Sequence, residues 1–91
     1  MLNRNDIHTE LTEASADGNG SVATYFVIDS SNGLVLGEMH HVYDPDHENP
    51  HVCFLEVDPD YNGCGEAELI GDFEAGLTGF LQIINGEADE C

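Results

Sequence analysis

Nineteen carboxylates face a single arginine and no lysine, a formal net charge of −18 over 91 residues. Whatever fold the chain takes must hold together against that self-repulsion. The same imbalance excludes whole classes of partner. Phosphate neutralisation needs Lys or Arg, and Arg4 alone cannot supply it, so direct binding to DNA, RNA or an anionic membrane is not expected. An apolar fraction of 41%, gathered into blocks of Val, Ile, Leu and Phe, separates the chain from disordered acidic segments. At this length one core is all that fits. The expectation is a single domain, residues 1–91, with an acidic tail over 86–91, burying roughly 60–65% of its unfolded surface.

No stretch approaches the roughly 18 apolar residues of a membrane span. The N-terminus MLNRNDIHTE lacks an apolar signal core, which points to a cytoplasmic chain. Cys53, Cys64 and Cys91 are an odd count without framework spacing, as expected of free thiols in a reducing compartment.

Asn5 or Asp6 can cap a first helix that Asp17-Gly18-Asn19-Gly20 would stop. Ile7, Leu11 and Ala14 then fall at i, i+4 and i+7 as its buried stripe. Ser21 to Ile28, Leu34 to Tyr43 and Val52 to Asp58 are rich in β-branched and aromatic residues and read as three strands. Asn32-Gly33 supplies the turn between the first two, and Asp44 to Pro50 forms the second loop. After Pro59 to Gly65, residues Leu69, Ile70, Phe73, Leu77, Phe80, Leu81 and Ile84 recur at helical spacing, predicting a second helix from about Glu66 to Ile84. The expected fold class is α+β: a two-layer sandwich ordered helix, three-stranded antiparallel meander, helix.

Between strand and second helix lies Leu55-Glu56-Val57-Asp58-Pro59-Asp60-Tyr61-Asn62-Gly63-Cys64-Gly65-Glu66-Ala67. Backbone N–H groups at such a helix start can cradle a pyrophosphate. Leu55, Val57, Pro59, Tyr61, Gly65 and Ala67 resemble the acetyl-CoA-binding segment of the GNAT family of N-acetyltransferases, and the hairpin at Asn32-Gly33 resembles that family's central hairpin. The resemblance covers roughly residues 22–70. It implies a truncated GNAT-like half-fold, acetyl-CoA as cofactor, and Asn62, Gly63, Gly65 and Ala67 as the cofactor-binding residues. Asn62 stands where the family has Gln or Arg, and Glu66 and Glu68 put carboxylates where the pyrophosphate would lie. No downstream position matches the family's acid or base, so no residue is assigned a catalytic role.

Two metal readings fall short on spacing. Asp58, Asp60, Asn62 and Gly63 match the start of an EF-hand loop, but Leu69 occupies the position that requires a bidentate Glu. His47 and His51 have H-x3-H spacing, yet Pro50 interrupts them and no C-x2-C pair accompanies them. His40 and His41 point to opposite faces of their strand. No metal site or cofactor is therefore expected.

The acid pattern carries the functional reading. On a helix, Asp6, Glu10, Glu13 and Asp17 would form one stripe about 16 Å long at 1.5 Å per residue, of the right order to imitate a phosphate backbone. Further clusters are Asp44, Asp46 and Glu48; Glu56, Asp58 and Asp60; Glu66, Glu68, Asp72 and Glu74; and Glu87, Asp89 and Glu90. The leading expectation is a non-catalytic acidic inhibitor that mimics nucleic acid. It would fill the basic groove of a larger, host-defence type of nucleic-acid-binding protein, with Asp6, Glu10, Glu13, Asp17, Asp44, Asp46 and Glu48 as its contacts. In size and composition alone the chain is similar to small phage anti-CRISPR and anti-restriction proteins. A small acetyl-CoA-binding N-acetyltransferase is the alternative, and a halophile's acidic subunit is the second.

Overall fold

The computed structural model describes residues 2–61 and 65–87. After a short 3-10 turn at Arg4–Asp6 come β1 (Ile7–Asp17), β2 (Gly20–Asp29), β3 (Val35–Tyr43) and β4 (His51–Val57). A second 3-10 turn at Pro59–Tyr61 precedes β5 (Gly65–Ile70) and α1 (Phe73–Ile84). The strands form one antiparallel sheet in the order β1-β2-β3-β4-β5, and α1 lies over β3, β4 and β5.

This overturns the expected helix–meander–helix sandwich at two places. Ile7–Asp17 is a strand, not a helix. Its stop signal is a hairpin turn: Asp17 pairs with Gly20, and Gly18 takes φ +61° in the two-residue loop between them. A turn of this kind needs positive φ, as a helix C-cap does, so one motif serves both. The second correction concerns Glu66. Gly65–Ile70 pairs antiparallel with β4, and the helix starts only at Phe73. Asp72 caps it by accepting the Ala75 N–H at 3.0 Å. The three central strands stand close to where the sequence puts them.

One face of the sheet packs on α1. Val27, Met39, Cys53 and Leu55 from the strands meet Leu77 and Phe80 from α1, all at 0–2% exposure. The helix sits unusually close: a methyl at Gly76 would lie 2.6 Å from Cys53 Sγ and 2.7 Å from Met39 Sδ. Glycine there weakens the helix by about 1 kcal/mol relative to Ala, and the close packing it permits offsets that. Tyr25 meets Phe73 edge-on at 4.9 Å. The chain start is tied to the helix end, where Asn85 Oδ1 accepts the Leu2 N–H at 2.9 Å and Asn85 Nδ2 donates to Leu2 O at 2.8 Å. Among the described residues, no helix is long and apolar enough to cross a membrane.

Candidate acidic interface on the open sheet face

Successive strand residues point to opposite faces, so the register decides what the uncovered face displays. One cross-strand row reads Glu10, Phe26, Glu38, Glu56, Glu66. The next reads Glu13, Thr24, His40, Phe54, Glu68, and a third reads Ser15, Val22, Val42, Val52, Ile70. Every glutamate in the five strands belongs to these rows. Three rows on the side that faces α1 hold no carboxylate: Thr9, Val27, Gly37, Val57, Gly65, then Leu11, Tyr25, Met39, Leu55, Ala67, then Ala14, Ala23, His41, Cys53, Leu69; at the strand ends Ile7 pairs with Asp29, whose carboxylate is taken up by the Ser31 N–H and hydroxyl.

A bulge completes the segregation. The β1–β2 register shifts between Leu11 and Glu13, and the extra residue, Thr12, donates its hydroxyl to Thr24 O at 3.1 Å. Were β1 to alternate regularly through Thr12, Glu13 would face the helix side. With the bulge, Glu10 and Glu13 share the open face.

Glu38, Glu56 and Glu66 are directly opposite one another on adjacent strands. Like charges in that arrangement destabilise a sheet by a few tenths to about 1 kcal/mol per pair. His40 stands beside them, its Nε2 3.7 Å from Glu38 and 3.9 Å from Glu56. The third row supplies apolar surface, with Val22 40% and Ile70 64% exposed.

The residues expected to make contact divide. Glu10 and Glu13 lie on the open face, but not as a helical stripe: at about 3.4 Å per residue, Glu10 to Asp17 spans roughly 24 Å of strand. Asp17 sits at the hairpin end of β1. Asp6 turns to its own backbone, accepting the Asn3 N–H at 2.8 Å. Asp44 opens the β3–β4 loop, accepts the Asp46 N–H at 3.1 Å and donates its own N–H to Pro50 O at 2.8 Å. That loop borders the open face across a cleft of about 230 Å³ lined by Val42, Asp44, His47, Asn49, Pro50, Val52, Phe54 and Glu68. Asp46 and Glu48, both exposed, extend the acidic surface along its rim.

Of the residues implied for acetyl-CoA, Asn62 and Gly63 lie outside the described residues. Gly65 and Ala67 belong to β5, and Ala67 packs against the core. Where a helix start would cradle a pyrophosphate there is a strand. The first turn of α1 carries Glu74, and Asp72 occupies its cap.

The helix side carries the strongest electrostatic perturbations. Burial holds the His41 imidazolium below the usual histidine range, and the neighbouring His51, whose Nδ1 lies 3.0 Å from His41 Nε2, adds to it. Burial, then the charge of Asp72, pushes the Cys53 thiol up to about 11. Its Sγ donates to Asp72 O at 3.3 Å. This is a packed thiol, protonated at neutral pH, not a nucleophile. Arg4 forks onto Glu74 at 3.1 and 3.3 Å, and that hydrogen bond lowers the Glu74 carboxyl.

The sequence shows Glu56, Glu66 and Glu68 as acidic clusters but not that Glu38, Glu56 and Glu66 align. The available signal was the alternation Glu38-Met39-His40 and Glu66-Ala67-Glu68-Leu69. No protein-family model matches this chain, and neither a curated protein nor a solved structure matches it significantly.

Proposed function

We propose that the open face of the sheet is a docking surface that occupies the basic nucleic-acid-binding groove of a larger protein, making this chain a non-catalytic acidic inhibitor. The observation that carries the reading is the sorting of charge: the strand glutamates stand in register on the uncovered face and none stands on the covered one. A surface adapted only to strong salt has no need to align Glu38, Glu56 and Glu66 against their mutual repulsion. A partner rich in Lys and Arg converts that repulsion into attraction and speeds encounter at low salt. The apolar row from Val22 to Ile70 gives the contact a dehydrated centre, the composition that marks protein interfaces. Two copies of this face would set like charges against each other, so the fitting partner is basic and not a second copy.

The test is displacement of labelled duplex DNA from nucleases and other DNA-binding proteins with basic grooves, at ~50 and ~500 mM KCl. The proposal expects displacement that collapses between these concentrations, and at least tenfold weaker displacement by a Glu38→Gln/Glu56→Gln/Glu66→Gln variant of unchanged circular dichroism. Displacement equal at both salts, or retained in full by the triple variant, would overturn it. Thermal unfolding with millimolar acetyl-CoA belongs beside it, because a clear upward shift would favour the acetyltransferase reading.

A further inference from the structure

We propose that Glu38, His40 and Glu56 form a binding site for a divalent transition-metal ion of the zinc class. Glu38 and His40 are two residues apart on β3 and so share the open face, and Glu56 stands directly across from Glu38 on β4. The three side chains offer ligand atoms that all lie within 4.8 Å of one another. His40 Nε2 is 3.7 Å from Glu38 Oε2 and 3.9 Å from Glu56 Oε2. Two ligands of a tetrahedral zinc, each about 2.0–2.2 Å from the metal, stand roughly 3.4 Å apart. Small side-chain rotations close the difference, and no backbone need move.

The orientation of the ring is an independent observation. His40 Nδ1 lies 3.0 Å from Thr24 Oγ1, on the neighbouring strand in register with it. With Nδ1–H donated to that hydroxyl, the Nε2 lone pair faces the two carboxylates. Three donor atoms within 4.8 Å of one another can then share one cation. An outer hydrogen bond that fixes the tautomer is the usual support of a metal-ligating histidine. Two carboxylates with one imidazole favour transition ions over magnesium or calcium, which prefer all-oxygen sites. The side chains of His40, Glu38 and Glu56 are 27, 37 and 46% exposed, so an ion can enter from solvent and keep water in its remaining positions. The site shares Glu38 and Glu56 with the proposed docking face, where a bound ion would offset two of the charges, and its test reads metal binding with no partner present.

The test is a calorimetric titration with ZnCl2 in ~150 mM KCl and ~5 mM MgCl2, the magnesium occupying non-specific carboxylates. Cobalt absorption in the visible reports the ligand geometry. The expected result is one zinc per chain, weakened at least tenfold in both His40→Ala and Glu56→Gln and unchanged in His51→Ala. Thr24→Val should weaken binding by about tenfold while circular dichroism stays the same, as expected for a residue that positions the ring. Wild-type affinity in folded His40→Ala, or full displacement of zinc by the magnesium, would overturn the proposal. If His40→Ala fails to fold, the chemical shift of the His40 ring in the wild type decides. Zinc must move it in slow or intermediate exchange, and an unmoved ring refutes the site.

Discussion

Replacing Glu56 with Gln should make the protein more stable, and by an amount that salt removes. Glu56 faces Glu38 on one side and Glu66 on the other. With carboxylates roughly 5 Å apart, each unscreened repulsion in water is worth about 0.8 kcal/mol. Two neighbours give about 1.7 kcal/mol. A Debye length of about 30 Å at 0.01 M salt leaves roughly 1.4 kcal/mol of this, and about 3 Å at 1 M leaves roughly 0.3. In a domain of this size, 1 kcal/mol shifts the melting temperature by about 4–8 °C. The assay is thermal unfolding by circular dichroism at pH 8, where an ordinary histidine is neutral, with EDTA present to remove metal. A rise of several degrees at 0.01 M that fades by 1 M is the expected result. A destabilised Glu56→Gln, or a gain independent of salt, would mean that the row is not held under repulsion.

Other expectations concern the helix and its ties. Gly76→Val should destabilise by about 1–3 kcal/mol, since its Cβ would meet Cys53 Sγ at 2.6 Å; urea unfolding measures it, and a neutral result would mean that α1 is free to lift. Asn85→Ala removes both hydrogen bonds to Leu2 and should cost about 1–2 kcal/mol, with hydrogen exchange rising first in residues 2–6. His41 is held below the usual histidine range by burial. Its unfolded form therefore takes a proton first as pH falls, and the stability it contributes is present at neutral pH and lost on acidification below about 6.5. Urea midpoints between pH 7.5 and 5.5 should fall, and by less in His41→Gln.

The sequence discloses the middle of this fold and misreads its ends, for a physical reason in each case. Ser21 to Ile28, Leu34 to Tyr43 and Val52 to Asp58 are dense enough in β-branched and aromatic residues to be strands by composition alone. In β1 the bulge at Thr12 breaks the two-residue alternation, and what remains of Ile7, Leu11 and Ala14 imitates a helical stripe. In β5 the alternation is intact but short. Leu69 and Ile70, which belong to opposite faces of the sheet, continue the helical spacing of Phe73, Leu77 and Phe80 without a visible break, although Gly71-Asp72 is where the chain turns. The acidic face follows the same logic. Glu10 and Glu13 could be singled out along the chain, and the loop acids Asp44, Asp46 and Glu48 could too. The alignment of Glu38 with Glu56 and Glu66, and of His40 with Thr24, exists only once the strands are in register, because those residues are far apart in sequence.

The central claim is that the uncovered face, and not the helix, meets the partner. Methyl NMR tests it directly, because the two faces carry different probes. In a titration with a basic-groove protein from which the chain displaces DNA, methyls of Val22, Val42, Val52 and Ile70 should shift or broaden, while those of Leu77 and Leu11 stay unchanged. Perturbation at Leu11 or along α1, with Val42, Val52 and Ile70 unmoved, would contradict it.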